Sequence, residues 1–189
     1  MVIHGWRNAI PDLSRRSVLV LAGLAVSAAG PENLAWEFSF PAIDGGDLKF
    51  LSFKGRVLLV VNTASFCGYT YQYESLQKLH AAQSANGLTV IGVPSGDFRQ
   101  ESADNATVKT FCDAMYGIDF PMSGIQHVKG TSAVPFYAWV RAVNGWEPGW
   151  NFNKVLIGRD GRIKATFGSG DEPQGPKITQ AIAAELAAK

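Results

Sequence analysis

The chain has 189 residues, is 47% hydrophobic and 17% charged, and carries a net charge of +1. That length and apolar content suffice to bury a proper core and exclude a disordered chain, and basic residues scattered among acidic ones exclude an electrostatic footprint for nucleic acid. Two cysteines exclude a structural disulfide framework, and neither they nor His4, His80 and His127 have zinc-site spacing, so no metal and no cofactor are expected.

At the N-terminus, Ser14-Arg15-Arg16-Ser17-Val18-Leu19 leads into the apolar run Val18–Ala29, where Val26-Ser27-Ala28 and Ser27-Ala28-Ala29 offer a signal-peptidase site. The pattern is similar to a bacterial twin-arginine export signal, with Val18 and Val20 standing where Phe and Lys are usual. The run is too short for comfortable passage through ~30 Å of hydrocarbon, so no stable membrane insertion is expected. Residues 1–29 are therefore read as a cleaved signal peptide and 30–189 as one mature domain, periplasmic or secreted. The alternative is a cytoplasmic protein with an N-terminal extension.

Beyond the leader, Trp36-Glu37-Phe38-Ser39-Phe40 alternates, and Asp44-Gly45-Gly46-Asp47 supplies a turn before Leu48-Lys49-Phe50, which predicts an opening hairpin. Val57–Asn62 and Leu88–Val93 are continuous apolar runs suited to central strands covered on both faces, and they bracket a predicted helix over Tyr73–Ala85. Strand, helix, strand is the parallel crossover unit. Thr107–Tyr116 predicts a helix opened by Asp104 or Asn105 and stopped at Gly117, with Val108, Phe111, Cys112 and Met115 on one apolar face. Pro135–Val143 predicts another short helix. Phe152–Gly158, the turn Arg159-Asp160-Gly161 and Arg162–Phe167 predict a hairpin, and Lys177–Ala187 a closing helix. The pattern gives an α/β fold, a mixed central sheet with helices on both faces.

Cys67 sits where the first central strand turns toward the first long helix. The leading N–H groups and positive dipole end of such a helix favour an anion, and so a thiolate over a free thiol of pKa about 8.5. Thiolate is the nucleophilic form. Cys112, read from periodicity alone, is a small buried hydrophobe; Trp150 and Asn151, taken alone, are a core tryptophan and a turn asparagine.

Four ordered blocks change those readings. Asn62-Thr63-Ala64-Ser65-Phe66-Cys67-Gly68-Tyr69-Thr70-Tyr71-Gln72-Tyr73 is followed by Ile91-Gly92-Val93-Pro94-Ser95-Gly96-Asp97-Phe98, by Phe111-Cys112 with Tyr116-Gly117-Ile118-Asp119-Phe120-Pro121, and by Trp150-Asn151-Phe152-Asn153-Lys154 running into Arg159-Asp160-Gly161. Over roughly residues 36–188 the chain closely resembles the glutathione peroxidase family, a thioredoxin-fold group that reduces peroxides at a cysteine or selenocysteine.

The resemblance implies a thioredoxin-like fold and a thiol-dependent peroxidase, an antioxidant oxidoreductase acting on hydrogen peroxide or organic hydroperoxides. It implies that Cys67 becomes a sulfenic acid, that Trp150 and Asn151 donate hydrogen bonds beside the sulfur, and that Cys112 is a resolving cysteine condensing with Cys67 to a disulfide. A thioredoxin-like protein or glutathione would supply the reducing thiol. The short segment between Pro121 and Trp150 implies a monomer. At the position read as the family's active-site Gln stands Asp97, whose ionised carboxylate has no proton to donate and would repel a thiolate. Rival readings are a general thiol–disulfide oxidoreductase, which usually carries Cys-x-x-Cys where this chain has Cys67-Gly68-Tyr69-Thr70, and a non-enzymatic redox sensor switched by Cys67 and Cys112.

Overall fold

The apolar run that starts at Val57 lies at the centre of the molecule. The computed structural model describes residues 1–2 and 33–188; the expected export signal falls on residues 1–29, of which only Met1 and Val2 are among them. In chain order the elements are β1 (Ser39–Pro41), β2 (Asp47–Lys49), β3 (Val57–Thr63), α1 (Gln72–Gln83), β4 (Leu88–Pro94), α2 (Asn105–Tyr116), α3 (Pro135–Asn144), β5 (Lys154–Ile157), β6 (Ile163–Phe167) and α4 (Pro176–Ala187). β1 and β2 form a separate antiparallel hairpin, and the main sheet has the order β4-β3-β5-β6. β3 pairs parallel with β4 and antiparallel with β5, which pairs antiparallel with β6.

Every residue of β3 and β4 is buried, because helices cover both faces. The period of two sorts their side chains cleanly. Val57, Leu59 and Val61 of β3 join Leu76 and Leu79 of α1, Val108 and Cys112 of α2, and Ile178 and Ile182 of α4 in one core layer. Leu58 and Val60 face the other way, onto Phe136, Trp139 and Val140 of α3 and Phe38, Phe40 and Phe50 of the hairpin region. Among the described residues no helix is long and apolar enough to cross a membrane.

Three departures from the expected elements have physical reasons. α1 ends at Gln83, and its last turn tightens into a 3₁₀ turn, Ser84–Asn86, before Gly87 takes the left-handed conformation at φ +102°. α2 starts at Asn105 because the Asp104 carboxylate accepts the Thr107 N–H at 2.9 Å, an N-cap bond. Met115, expected on the buried face of α2, is 64% exposed. Tyr116 takes that space instead, with its ring 5.4 Å from Tyr73 and 5.8 Å from Phe111. At the β5–β6 turn, Gly161 has φ +77°, and a Cβ there would come within 2.5 Å of the Trp36 indole, so the Asp160-Gly161 turn tolerates no side chain.

Candidate active site

β3 delivers the chain to the site, and the segment after Thr63 holds Cys67 by local bonds. The Thr70 hydroxyl accepts the Cys67 N–H at 3.1 Å and lies 3.1 Å from the Ala64 carbonyl. Cys67 is buried, with 7% of its surface exposed. The Tyr69 N–H points at Sγ from 3.4 Å. The leading N–H groups expected to serve the sulfur are otherwise engaged: those of Thr70, Gln72, Tyr73 and Glu74 bond the carbonyls of Cys67, Tyr69, Thr70 and Tyr71. Turns of 3₁₀ type extend the helix backward toward Cys67 and consume these donors, leaving Tyr69 as the backbone donor on the sulfur.

The segment Trp150–Asn153 is fastened to the end of β3 through one residue, Asn62. Its N–H donates to the Asn153 carbonyl at 3.2 Å and its carbonyl accepts from Phe152 at 2.6 Å. Its side-chain amide donates to the Trp150 carbonyl at 3.0 Å and accepts the Asn153 N–H at 3.1 Å. Asn151 is fully buried, and its Nδ2 donates to Gln100 Oε1 at 3.0 Å. Gln100 also accepts the Phe66 N–H on its carbonyl at 2.9 Å, so one residue ties the neighbour of Cys67 to Asn151. Trp150 is 43% exposed, with its ring 5.4 Å from that of Phe98.

Among the described residues, the non-glycine positions with positive φ are Arg99 at +59° and Phe152 at +58°. Each adjoins a donor amide, Gln100 and Asn151 respectively, at a cost of about 1–2 kcal/mol per residue. Backbone strain of this kind persists where surrounding structure over-determines it, as at working sites.

Cys67, Trp150 and Asn151 are thus gathered around the loop 98–101, but Asp97 is not. Its carboxylate, 11% exposed, turns to a different loop, accepting the Val128 N–H at 2.6 Å and the Lys129 N–H at 3.3 Å and pairing with His127 Nδ1 at 2.6 Å. The group beside Asn151 is Gln100, which sequence reading passed over by ending the block at Phe98. The signal was available, since Gln100 is a neutral amide with N–H donors three residues beyond Asp97.

The glutathione peroxidase family model matches residues 35–141. The chain belongs to this family. It is 36% identical over 159 residues to a hydroperoxy fatty acid reductase of Synechocystis, covering 77% of this chain and 92% of that protein. Among solved structures it resembles a glutathione peroxidase of T. cruzi, with 29% identity, a TM-score of 0.64, and coverage of 82% of this chain and 97% of that one. A thiol:disulfide interchange protein from Chlorobium tepidum shares the thioredoxin-like fold at 21% identity and a TM-score of 0.59, covering 82% and 96%. The protein is a thiol peroxidase of thioredoxin fold.

In this glutathione peroxidase both cysteines are free thiols in one core layer. Burial within α2 pushes the Cys112 thiol up to about 11, with the nearby Tyr73 hydroxyl offsetting part of the rise. Thr63 Oγ1, Ser65 Oγ, Tyr73 Oη, Glu101 Oε2 and Asn151 Oδ1 are buried and make no hydrogen bond of good geometry, although the Tyr73 hydroxyl lies near Thr63 and Cys112 and the Ser65 hydroxyl near Glu101.

A strap over residues 168–172 holds the segment that carries Asn151 against α1. Ser169 Oγ donates to the Asn151 carbonyl and accepts from Asn153 Nδ2, both at 2.7 Å, while its carbonyl accepts from Gln72 Nε2 at 2.7 Å. Lys154, fully buried, closes the strap by donating to Gln72 Oε1 at 2.6 Å and the Asp171 carbonyl at 2.7 Å. Burial brings its ammonium down to about 8, against the pull of Glu172 and Asp171.

Proposed function

We propose that this peroxidase works by an atypical two-cysteine cycle. The Cys67 thiolate attacks one oxygen of the peroxide, the O–O bond breaks, and the alcohol or water leaves with a proton, so Cys67 becomes a sulfenic acid. Cys112 then attacks the Cys67 sulfur, displacing the hydroxyl as water and forming an intramolecular disulfide that an external dithiol reduces. The observation that carries this reading is the setting of Cys67: a Tyr69 N–H on its sulfur, with Asn151 and Gln100 joined beside its loop. Trp150, Asn151 and Gln100 supply N–H donors of the sign needed by a thiolate and by the departing oxygen.

A disulfide needs Cα atoms within about 7 Å, and Cys112 is wholly buried inside a helix, so resolution is coupled to opening of α2. A twelve-residue helix is marginal alone, which makes local opening accessible. The presence of a resolving cysteine favours a thioredoxin-like donor over glutathione. The kinship with a hydroperoxy fatty acid reductase brings organic hydroperoxides into the substrate range beside hydrogen peroxide. Intact mass of the 30–189 protein after one equivalent of peroxide tests the cycle. Loss of two hydrogens is expected, while Cys112→Ser should instead gain oxygen and stop cycling with thioredoxin after one turnover. A wild type that gains oxygen removes the resolving role.

We also propose export, periplasmic or secreted, and a monomeric mature enzyme. Arg15-Arg16 and the apolar run Val18–Ala29 support export. Cell fractionation should recover a species beginning near Ala29 or Gly30, and Lys substitution of both arginines should block its appearance if the twin-arginine route is used. A cytosolic protein retaining Met1 contradicts the assignment.

A further inference from the structure

Resting on Asn151 as a donor to the reacting sulfur, as proposed above, we infer that Ser169 is a positioning residue for peroxide reduction: its hydroxyl clamps the peptide between Asn151 and Phe152 and so holds the Asn151 amide in place. The need for a clamp follows from how little ties the amide itself. Its Nδ2 donates to Gln100 Oε1 at 3.0 Å, while its Oδ1 is buried without a hydrogen bond of good geometry. The direction of a side chain so lightly held is set mainly by its backbone.

That backbone is gripped from two sides. On one edge of the peptide the Phe152 N–H donates to the Asn62 carbonyl on β3 at 2.6 Å, and on the other the Asn151 carbonyl accepts from Ser169 Oγ at 2.7 Å. The plane cannot turn without losing one of these bonds, and Phe152, which follows it, stays at φ +58°. A phenylalanine in the left-handed region persists only where its surroundings over-determine it. Asn62 fixes one edge, and Ser169 supplies the second constraint.

The network also dictates which way the Ser169 proton points. Asn153 Oδ1 accepts the Gly149 N–H at 3.3 Å, which turns its Nδ2 toward Ser169 Oγ at 2.7 Å. The hydroxyl therefore accepts from Asn153 and keeps its one proton for the Asn151 carbonyl. Ser169 is fixed in turn. Its carbonyl accepts from Gln72 Nε2 at 2.7 Å, Gln72 Oε1 accepts from Lys154 Nζ at 2.6 Å, and the same ammonium donates to the Asp171 carbonyl at 2.7 Å. Gln72 and Lys154 are wholly buried, and Gln72 opens α1, the helix that follows Cys67. The bonds thus tie the helix behind the nucleophile to the segment that carries the donor, and Ser169 is where they meet Asn151.

Stopped-flow oxidation of Cys67 by hydrogen peroxide tests the assignment. Ser169→Ala should lower the second-order rate about tenfold, the effect of a misplaced rather than a missing group, and Ser169→Gly, which also removes the hydroxyl, should match it. Ser169→Thr keeps a hydroxyl on Cβ and should restore the rate to within about threefold of wild type. Adding Ser169→Ala to Asn151→Ala should slow oxidation no further than Asn151→Ala alone, because no amide is left to position, whereas independent effects would multiply. Thermal unfolding gives the contrast, since the fall in Tm from Ser169→Ala should be the same in both backgrounds. A wild-type rate in Ser169→Ala, or a further fall of about tenfold in the double variant, overturns the inference. Asn151→Ala oxidising at the wild-type rate would instead defeat the donor role on which it rests.

Discussion

Cys67→Ser is expected to bring peroxide consumption to the uncatalysed background with every thiol donor. Serine cannot form a sulfenic acid, and its hydroxyl remains protonated across the working range, so both the nucleophile and the oxidisable atom are lost. The substitution removes little else. The loop is held by the Thr70 hydroxyl on the Cys67 N–H and by the Phe66 and Ser65 N–H bonds to Gln100 and Glu101, none of which uses the sulfur. Thermal unfolding should therefore change little while turnover vanishes. The decisive assay follows peroxide disappearance with thioredoxin, glutathione and dithiothreitol in parallel; turnover surviving in Cys67→Ser would locate the chemistry on another residue.

The second large effect is expected at Asn151. Asn151→Ala should lower the second-order rate of Cys67 oxidation on the order of 10²-fold or more, the scale of a lost transition-state donor. It also leaves Gln100 Oε1 without the bond that fixes its amide. Asp97→Asn should behave oppositely. Asn offers one acceptor oxygen where the carboxylate now serves Val128, Lys129 and His127, so stability should fall by about 1–3 kcal/mol as backbone donors lose partners. The oxidation rate should stay within about tenfold. Stopped-flow oxidation across pH separates the two cases, and a hundredfold drop in Asp97→Asn with loss of an acid limb would show Asp97 to be a working general acid.

The different standing of Asp97 and Gln100 marks where sequence reading loses its grip. β3 and β4 were legible because a strand buried on both faces must be apolar throughout, and the β5–β6 turn because Asp160-Gly161 admits few other conformations. Cys67 and the Trp150–Asn153 segment were legible as motifs. The direction of a loop side chain is set by bonds to distant segments, and local pattern does not carry these. Asp97 turns away because its acceptors meet N–H groups some thirty residues on, and Gln100 turns in because Asn151 arrives from beyond α3. Met115 fails for a related reason: a period of 3.6 marks a face, but the Tyr116 ring decides how far along the helix that face stays covered.

The sheet itself has a mechanical consequence. Both cysteines, α1, α2 and α4 lie in the core layer on one face, whereas α3 and the β1–β2 hairpin region close the other with a packed group of rings in which Phe136 meets Phe38, Phe40, Phe50 and Trp139. In the proposed cycle, unwinding α2 to bring Cys112 to Cys67 therefore disturbs contacts on one side only. The aromatic face works as a rigid chassis: amide exchange in α2 should quicken on oxidation while protons in α3 and β3 stay as slow as in the reduced protein. In that cycle each round would cost a local excursion of one helix, and a disulfide that pulls that helix out of register would leave the floor beneath Cys67 in place for the next peroxide.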